Sequence, residues 1–119
     1  MLAAELIIRC FDARTSAHIL HLESKSYSQH MALNTFYDEI VELADDFAET
    51  YQGQYGVIID YPPSSEHYRD PIKLVDELAD WVASNRRQCY GPHDTHLSNI
   101  VDEIVALARR TAYKLRNLK

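Results

Sequence analysis

Turn-forming residues are scarce in this chain, with three glycines and four prolines among 119 residues. The first of either kind is Gly53. Nothing upstream of Gly53 forces the backbone out of a helix, and so few breaks in the whole chain favour a few long helices over many short strands. The length suits one domain, residues 1–119, with one real core.

Apolar spacing divides the chain into four helical segments. From about Leu2 to Glu23, Leu6, Ile7, Cys10, Phe11, Ala13, Ala17 and Leu20 keep helical intervals. Three serines between Ser24 and Ser28 favour a turn and a new N-cap. A second helix is expected from Tyr27 to Gln52, stopped by Gly53 as its C′ residue. Next comes an irregular stretch with a β-prone Val57-Ile58-Ile59 and an extended Pro62-Pro63, expected to lay its Ile and Tyr side chains over one end of the fold. Asp70-Pro71 is an N-cap followed by proline at N1 and opens a third helix, with Ile72, Val75, Leu78, Ala79 and Val82 on its core face. That helix is expected to stop at Gly91-Pro92. A fourth, capped by Asp94 or Thr95, follows with Leu97, Ile100, Val101, Ile104, Leu107, Leu115 and Leu118 inside. The expected fold is all-α, an up-down four-helix bundle with a longer loop between helices two and three.

The net charge of −6 does not suit a phosphate-backbone binder, so a nucleic-acid partner is not expected. The basic cluster Arg109, Arg110, Lys114, Arg116 and Lys119 lies in the last turns of a helix, where the macrodipole already favours cations. Cys10 and Cys89 are far apart and form no CxxC, which reads as two reduced thiols. The N-terminal stretch lacks the pattern of a signal peptide or membrane span, so a cytoplasmic protein with no membrane contact is expected. No Gly-rich phosphate loop, nucleophile elbow or HExxH motif is present.

The second helix carries a polar pattern of its own. His30 and Asn34 are four apart, as are Asp45 and Glu49, and eleven residues join the pairs. At about 100° per residue, all four fall within one sector of the helix. Leu33, Phe36, Ile40, Leu43 and Phe47 form the apolar stripe, whose centre lies roughly 140° from that sector. The polar sector therefore faces water or a second subunit. An imidazole, an amide and two carboxylates there are hard and borderline metal ligands. On helix one, His18 and His21 are three apart. Either both face a partner, or one is a surface histidine while the other packs at a helix crossing.

His18, His30, Asp45 and Glu49 stand at the spacing of the diiron ligands in Dps-type mini-ferritins, and at these residues the chain resembles that branch of the ferritin-like superfamily. The likeness covers about residues 10 to 55. It implies a ferritin-like bundle in which iron or another divalent metal binds between two subunits. His18 and His30 would come from one subunit and Asp45 and Glu49 from the other, so the protein would be at least a homodimer. Asn34 stands where the family has a carboxylate, which implies weak or absent ferroxidase activity, and SKSYS replaces the family's glycine turn. The short chain, without a lysine-rich tail or an extra helix between the hairpins, resembles a viral or mobile-element relative.

Other readings compete. Asp38, Glu39, Glu42, Asp45, Asp46 and Glu49 crowd one helix, with like charges at i, i+4 and no Lys or Arg among them. Such a face either solvates the helix or awaits something positive. A non-enzymatic bundle that binds a protein partner through its acidic face or Tyr-rich loop is the alternative function. His93 and His96 in PHDTH can make a small metal site, but three polar residues at a helix start are mostly caps.

Overall fold

The structure, a computed structural model, describes residues 1–64 and 67–119. It is an all-α four-helix bundle: α1 (Leu2–Glu23), α2 (Tyr27–Tyr55), α3 (Pro71–Asn85) and α4 (Thr95–Asn117), with a 3₁₀ turn at Arg86–Gln88. No strand occurs among the described residues, so Val57 to Ile59 is extended without a sheet. Among the described residues, no helix is long and apolar enough to cross a membrane.

The helices form a square in which α1 and α4 each pack against α2 and α3, while the diagonals barely touch. Cross-contacts fix the directions. Ser28 at the start of α2 meets Leu118 just past α4, and Gln54 near the end of α2 meets Asp94 at the start of α4. The Leu2 carbonyl meets Cys89 beyond α3, and Arg9 lies over Trp81. The order is therefore up, down, down, up. Alternation holds within each hairpin, and the connection between α2 and α3 runs along the bundle to bring two parallel helices to opposite corners. On its way it touches α1, where Ser64 donates to Asp12 and the Tyr68 amide donates to Ser16 Oγ. This third neighbour explains why α1 buries Ser16 as well as its apolar positions.

Most of the sequence stripes are the core, with Phe11, Leu43, Ile72 and Ile100 half-buried at its edge. Leu33, Phe36, Ile40 and Phe47 of α2 are fully buried, facing Leu6, Ile7, Leu74, Val75, Leu97 and Ile104 from the other helices. Truncating a phenylalanine such as Phe36 would cost about 3–5 kcal/mol through lost burial and the cavity left behind. Leu118 was expected inside but lies past the helix end and is half exposed.

Three helix ends differ from expectation, and the first is that α3 stops at Asn85 and passes into the 3₁₀ turn, short of Gly91. Gly53 stays helical and exposed, and α2 continues to Tyr55. Gly56 supplies the stop with φ +97°, a left-handed value that favours glycine, while the Gln52 side chain accepts from the Ile58 amide and fixes the exit. Asp94 does occupy the N-cap position of α4, but its carboxylate caps nothing there. At the start of α3 the expectation holds: Asp70 accepts from the Ile72 amide and Pro71 sits at N1.

Candidate functional site

The α1–α2 hairpin gathers the histidines. Its serine turn is held locally: Ser26 Oγ accepts from the Gln29 amide and Ser24 Oγ accepts from the Ser26 amide. Behind it, His21 Nδ1 donates to the His30 carbonyl and His30 Nδ1 donates to the His21 carbonyl, each at 2.8 Å. A carbonyl only accepts, so both Nδ1 atoms carry hydrogen. The two rings stack with centroids 3.6 Å apart and planes 21° apart. His18 stacks on Tyr37 at 4.3 Å and stands edge-on to His21 at 6.0 Å. The Tyr37 hydroxyl donates to Asn34 Oδ1, and Asn34 Nδ2 donates to Asp38.

His21 is thus the residue at the helix crossing, buried, and it clasps the two helices together. Imidazole lone pairs lie in the ring plane, so two stacked rings direct theirs side by side rather than towards one ion. Among the described residues, no group of three or more His, Cys, Asp or Glu is placed to hold a metal. His18, His30 and Asn34 share one end of the hairpin. Asp45 and Glu49 are exposed further along α2, the nearer one fifteen residues from His30, or about 22 Å at 1.5 Å per residue. A single chain does not bring the expected ligands together.

Along the outer face of α2, Asp38, Glu39, Glu42, Asp45, Asp46 and Glu49 are all exposed. Glu39 meets Arg110 at 3.9 Å. Glu42, Asp45, Asp46 and Glu49 meet no cation among the described residues. The basic cluster on α4 turns elsewhere: Arg109 pairs with Asp80 at 3.0 Å and Asp76 at 3.8 Å, and Arg116 also holds Asp76.

The opposite end of the bundle is tied by Asp94. Its buried carboxylate accepts from the Tyr55 hydroxyl, from Gln54 Nε2 at 2.8 Å and from the Gly91 amide at 2.8 Å. The Tyr55 hydrogen bond first, then those from Gln54 and Gly91, hold Asp94 below the ordinary carboxylate range. The same bond to Asp94 pushes the Tyr55 phenol above its usual value. His96 Nε2 donates to Gln54 Oε1 at 2.6 Å, and His93 is exposed, so the PHDTH segment serves as a latch between α2 and α4. Burial pushes the Cys10 thiol up to about 12 and the Cys89 thiol to about 11, so both stay protonated and unreactive at neutral pH.

The family model that matches covers residues 21–115, from the histidine clasp to the last turn of α4, and is described as a family of unknown function, DUF5856. The chain belongs to that family. It is also similar to an uncharacterized 14.6 kDa protein of the mobD-ri intergenic region of Enterobacteria phage T4, 29% identical over 105 residues, covering 87% of this chain and 79% of the relative. No solved structure matches the chain.

Proposed function

We propose that this member of DUF5856 is a non-enzymatic helical binding protein whose acidic α2 face docks on a basic protein surface. One observation carries the reading: Glu42, Asp45, Asp46 and Glu49 stand exposed and meet no cation among the described residues, whereas the arginines of α4 go mainly to acids of α3. Like charges at i, i+4 cost a few tenths of a kcal/mol per pair in the free helix. An incoming basic surface removes that cost and gains charge pairing, which also steers association. The test is calorimetric binding of a lysine-rich helical peptide at about 0.05 and 0.5 M salt. Binding should weaken with salt and with the triple change Glu42→Gln, Asp45→Asn, Glu49→Gln. Affinity indifferent to both would sink the reading.

A second reading keeps a divalent metal, Fe(II) or Zn(II), between two copies. It is favoured by His30, whose Nδ1 is committed to a carbonyl so that its Nε2 lone pair is free and oriented, as ligating histidines require. A bundle with one long crossover is also the connectivity of ferritin-like folds. The separation of His30 from Asp45 and Glu49 along α2 demands a second, antiparallel α2, hence at least a dimer. Asn34 Oδ1 already accepts from Tyr37, and a neutral amide is a poor ligand for Fe(III), so turnover would be weak or absent. Metal content and ferroxidase rate of the wild type and Asn34→Asp decide this: metal undetectable in both removes the reading.

A further inference from the structure

Between the 3₁₀ turn and the first turns of α4 lies a cavity of about 580 Å³, bordered by Arg86, Arg87, Tyr90, Thr95, Ser98 and Asp102. Its size falls within the range of small-molecule sites. Arg86 forms the rigid wall. Its Nε donates to Tyr90 Oη at 2.9 Å, and its Nη2 donates to the Ser98 carbonyl at 2.9 Å, Ser98 Oγ at 3.2 Å and Asp102 at 2.6 Å. Burial draws the Arg86 pKa down, but the bonds to Tyr90 and Asp102 more than offset it, so the guanidinium stays charged.

Hydrogen-bond accounting shows what the cavity lacks. The Tyr90 and Ser98 hydroxyl oxygens accept from Arg86, so each still has a hydrogen to donate. The Thr95 hydroxyl and the exposed Arg87 guanidinium have no partner among the described residues. Asp102 is the one acid in the lining among the described residues, and Arg86 neutralises it. The walls therefore offer four donors and one surplus positive charge in a chain whose net charge is −6. At the adjoining start of α4 the Asp94 carboxylate turns to Tyr55, Gln54 and Gly91 and leaves the first amides without a side-chain cap, while its own negative charge offsets the helix dipole there.

We propose that this cavity binds a small phosphate ester by its phosphoryl group. A tetrahedral dianion accepts from several directions at once and suits hydroxyl and guanidinium donors around a concave wall. A carboxylate is planar and has two oxygens for the same four donors. The volume leaves room for an organic substituent against Tyr90. The site is independent of the acidic α2 face.

The test is an amide-resolved NMR titration of the full ¹⁵N-labelled chain with phenyl phosphate, and separately with benzoate. Phenyl phosphate should give saturable shifts at Arg87, Thr95 and Ser98. Arg87→Ala, an exposed change that leaves the fold alone, should weaken its binding by about tenfold, and Thr95→Val should weaken it less. Benzoate should bind more weakly than phenyl phosphate. Absence of saturable shifts at these residues, equal binding of benzoate, or an affinity untouched by both variants would each overturn the proposal.

Discussion

The two flanks of this bundle treat charge in opposite ways. On the α3–α4 flank, Asp76, Asp80 and Asp102 each meet an arginine, and Arg86 is anchored by four hydrogen bonds. On α2, four neighbouring carboxylates meet none among the described residues. Charges on the first flank are committed to holding helices together. Those on the second weaken their own helix slightly and are the ones proposed above to meet a basic partner.

The contrast is sharpest at Arg86. Arg86→Ala should remove its bonds to Tyr90, Ser98 and Asp102 and cost about 2–3 kcal/mol, read from urea unfolding. A loss below about 0.5 kcal/mol would mean that the α3–α4 flank is no better committed than α2.

Acid should act next, through Asp94. Its pKa is depressed in the folded state, so the stability it adds is fully present above the ordinary carboxylate value. That stability is lost as pH falls through the depressed one, below about 4. Melting temperature followed down this range should drop more steeply in the wild type than in Asp94→Asn, which starts lower at neutral pH because its amide offers one acceptor fewer. Parallel curves would show that the latch between α2 and α4 is idle.

On α2 the sign reverses. The triple change Glu42→Gln, Asp45→Asn, Glu49→Gln should raise stability by roughly 0.2–0.5 kcal/mol for each relieved pair, and added salt should shrink that gain. A destabilised triple variant would reveal a structural role for the acidic face and erase the contrast. The smallest effect belongs to Arg110→Ala. Its pair with Glu39 is long and exposed at 3.9 Å, and thermal unfolding should move by less than about 0.5 kcal/mol.

What the sequence made legible follows from range. The apolar stripes of α2, α3 and α4 repeat every three or four residues, and the structure buries Phe36, Ile40, Val75, Val82, Val101 and Ile104 accordingly. Asp70-Pro71 is equally local and was equally readable. That α2 runs past the expected stop at Gly53 to Gly56 was not, because it depends on Gln52 reaching forward to Ile58. Asp94 looked like a cap, yet its partners Gln54 and Tyr55 lie about forty residues upstream. His21 was one of two open readings until the crossing with His30 decided it. Arg86 carried no sequence signal, since Tyr90, Ser98 and Asp102 surround it only once the 3₁₀ turn folds against α4.

The connection from α2 to α3 has a mechanical consequence. It leaves the end of α2, at the level of Asp94, and delivers Pro71 near the opposite end of a molecule 43 Å long. Fifteen residues reach about 50 Å when extended, and the crossing uses more than half of that, since Asp76 of α3 pairs with Arg109 and Arg116, about 22 and 33 Å along α4 from Asp94. Each hairpin is a sequence-local pair of antiparallel helices, and docking the two is limited by this strap. Cut the strap to about half its length, a reach of about 25 Å, and the α3–α4 hairpin no longer reaches its own partner. The same interface then closes only between chains, giving a swapped dimer from an unchanged set of core contacts.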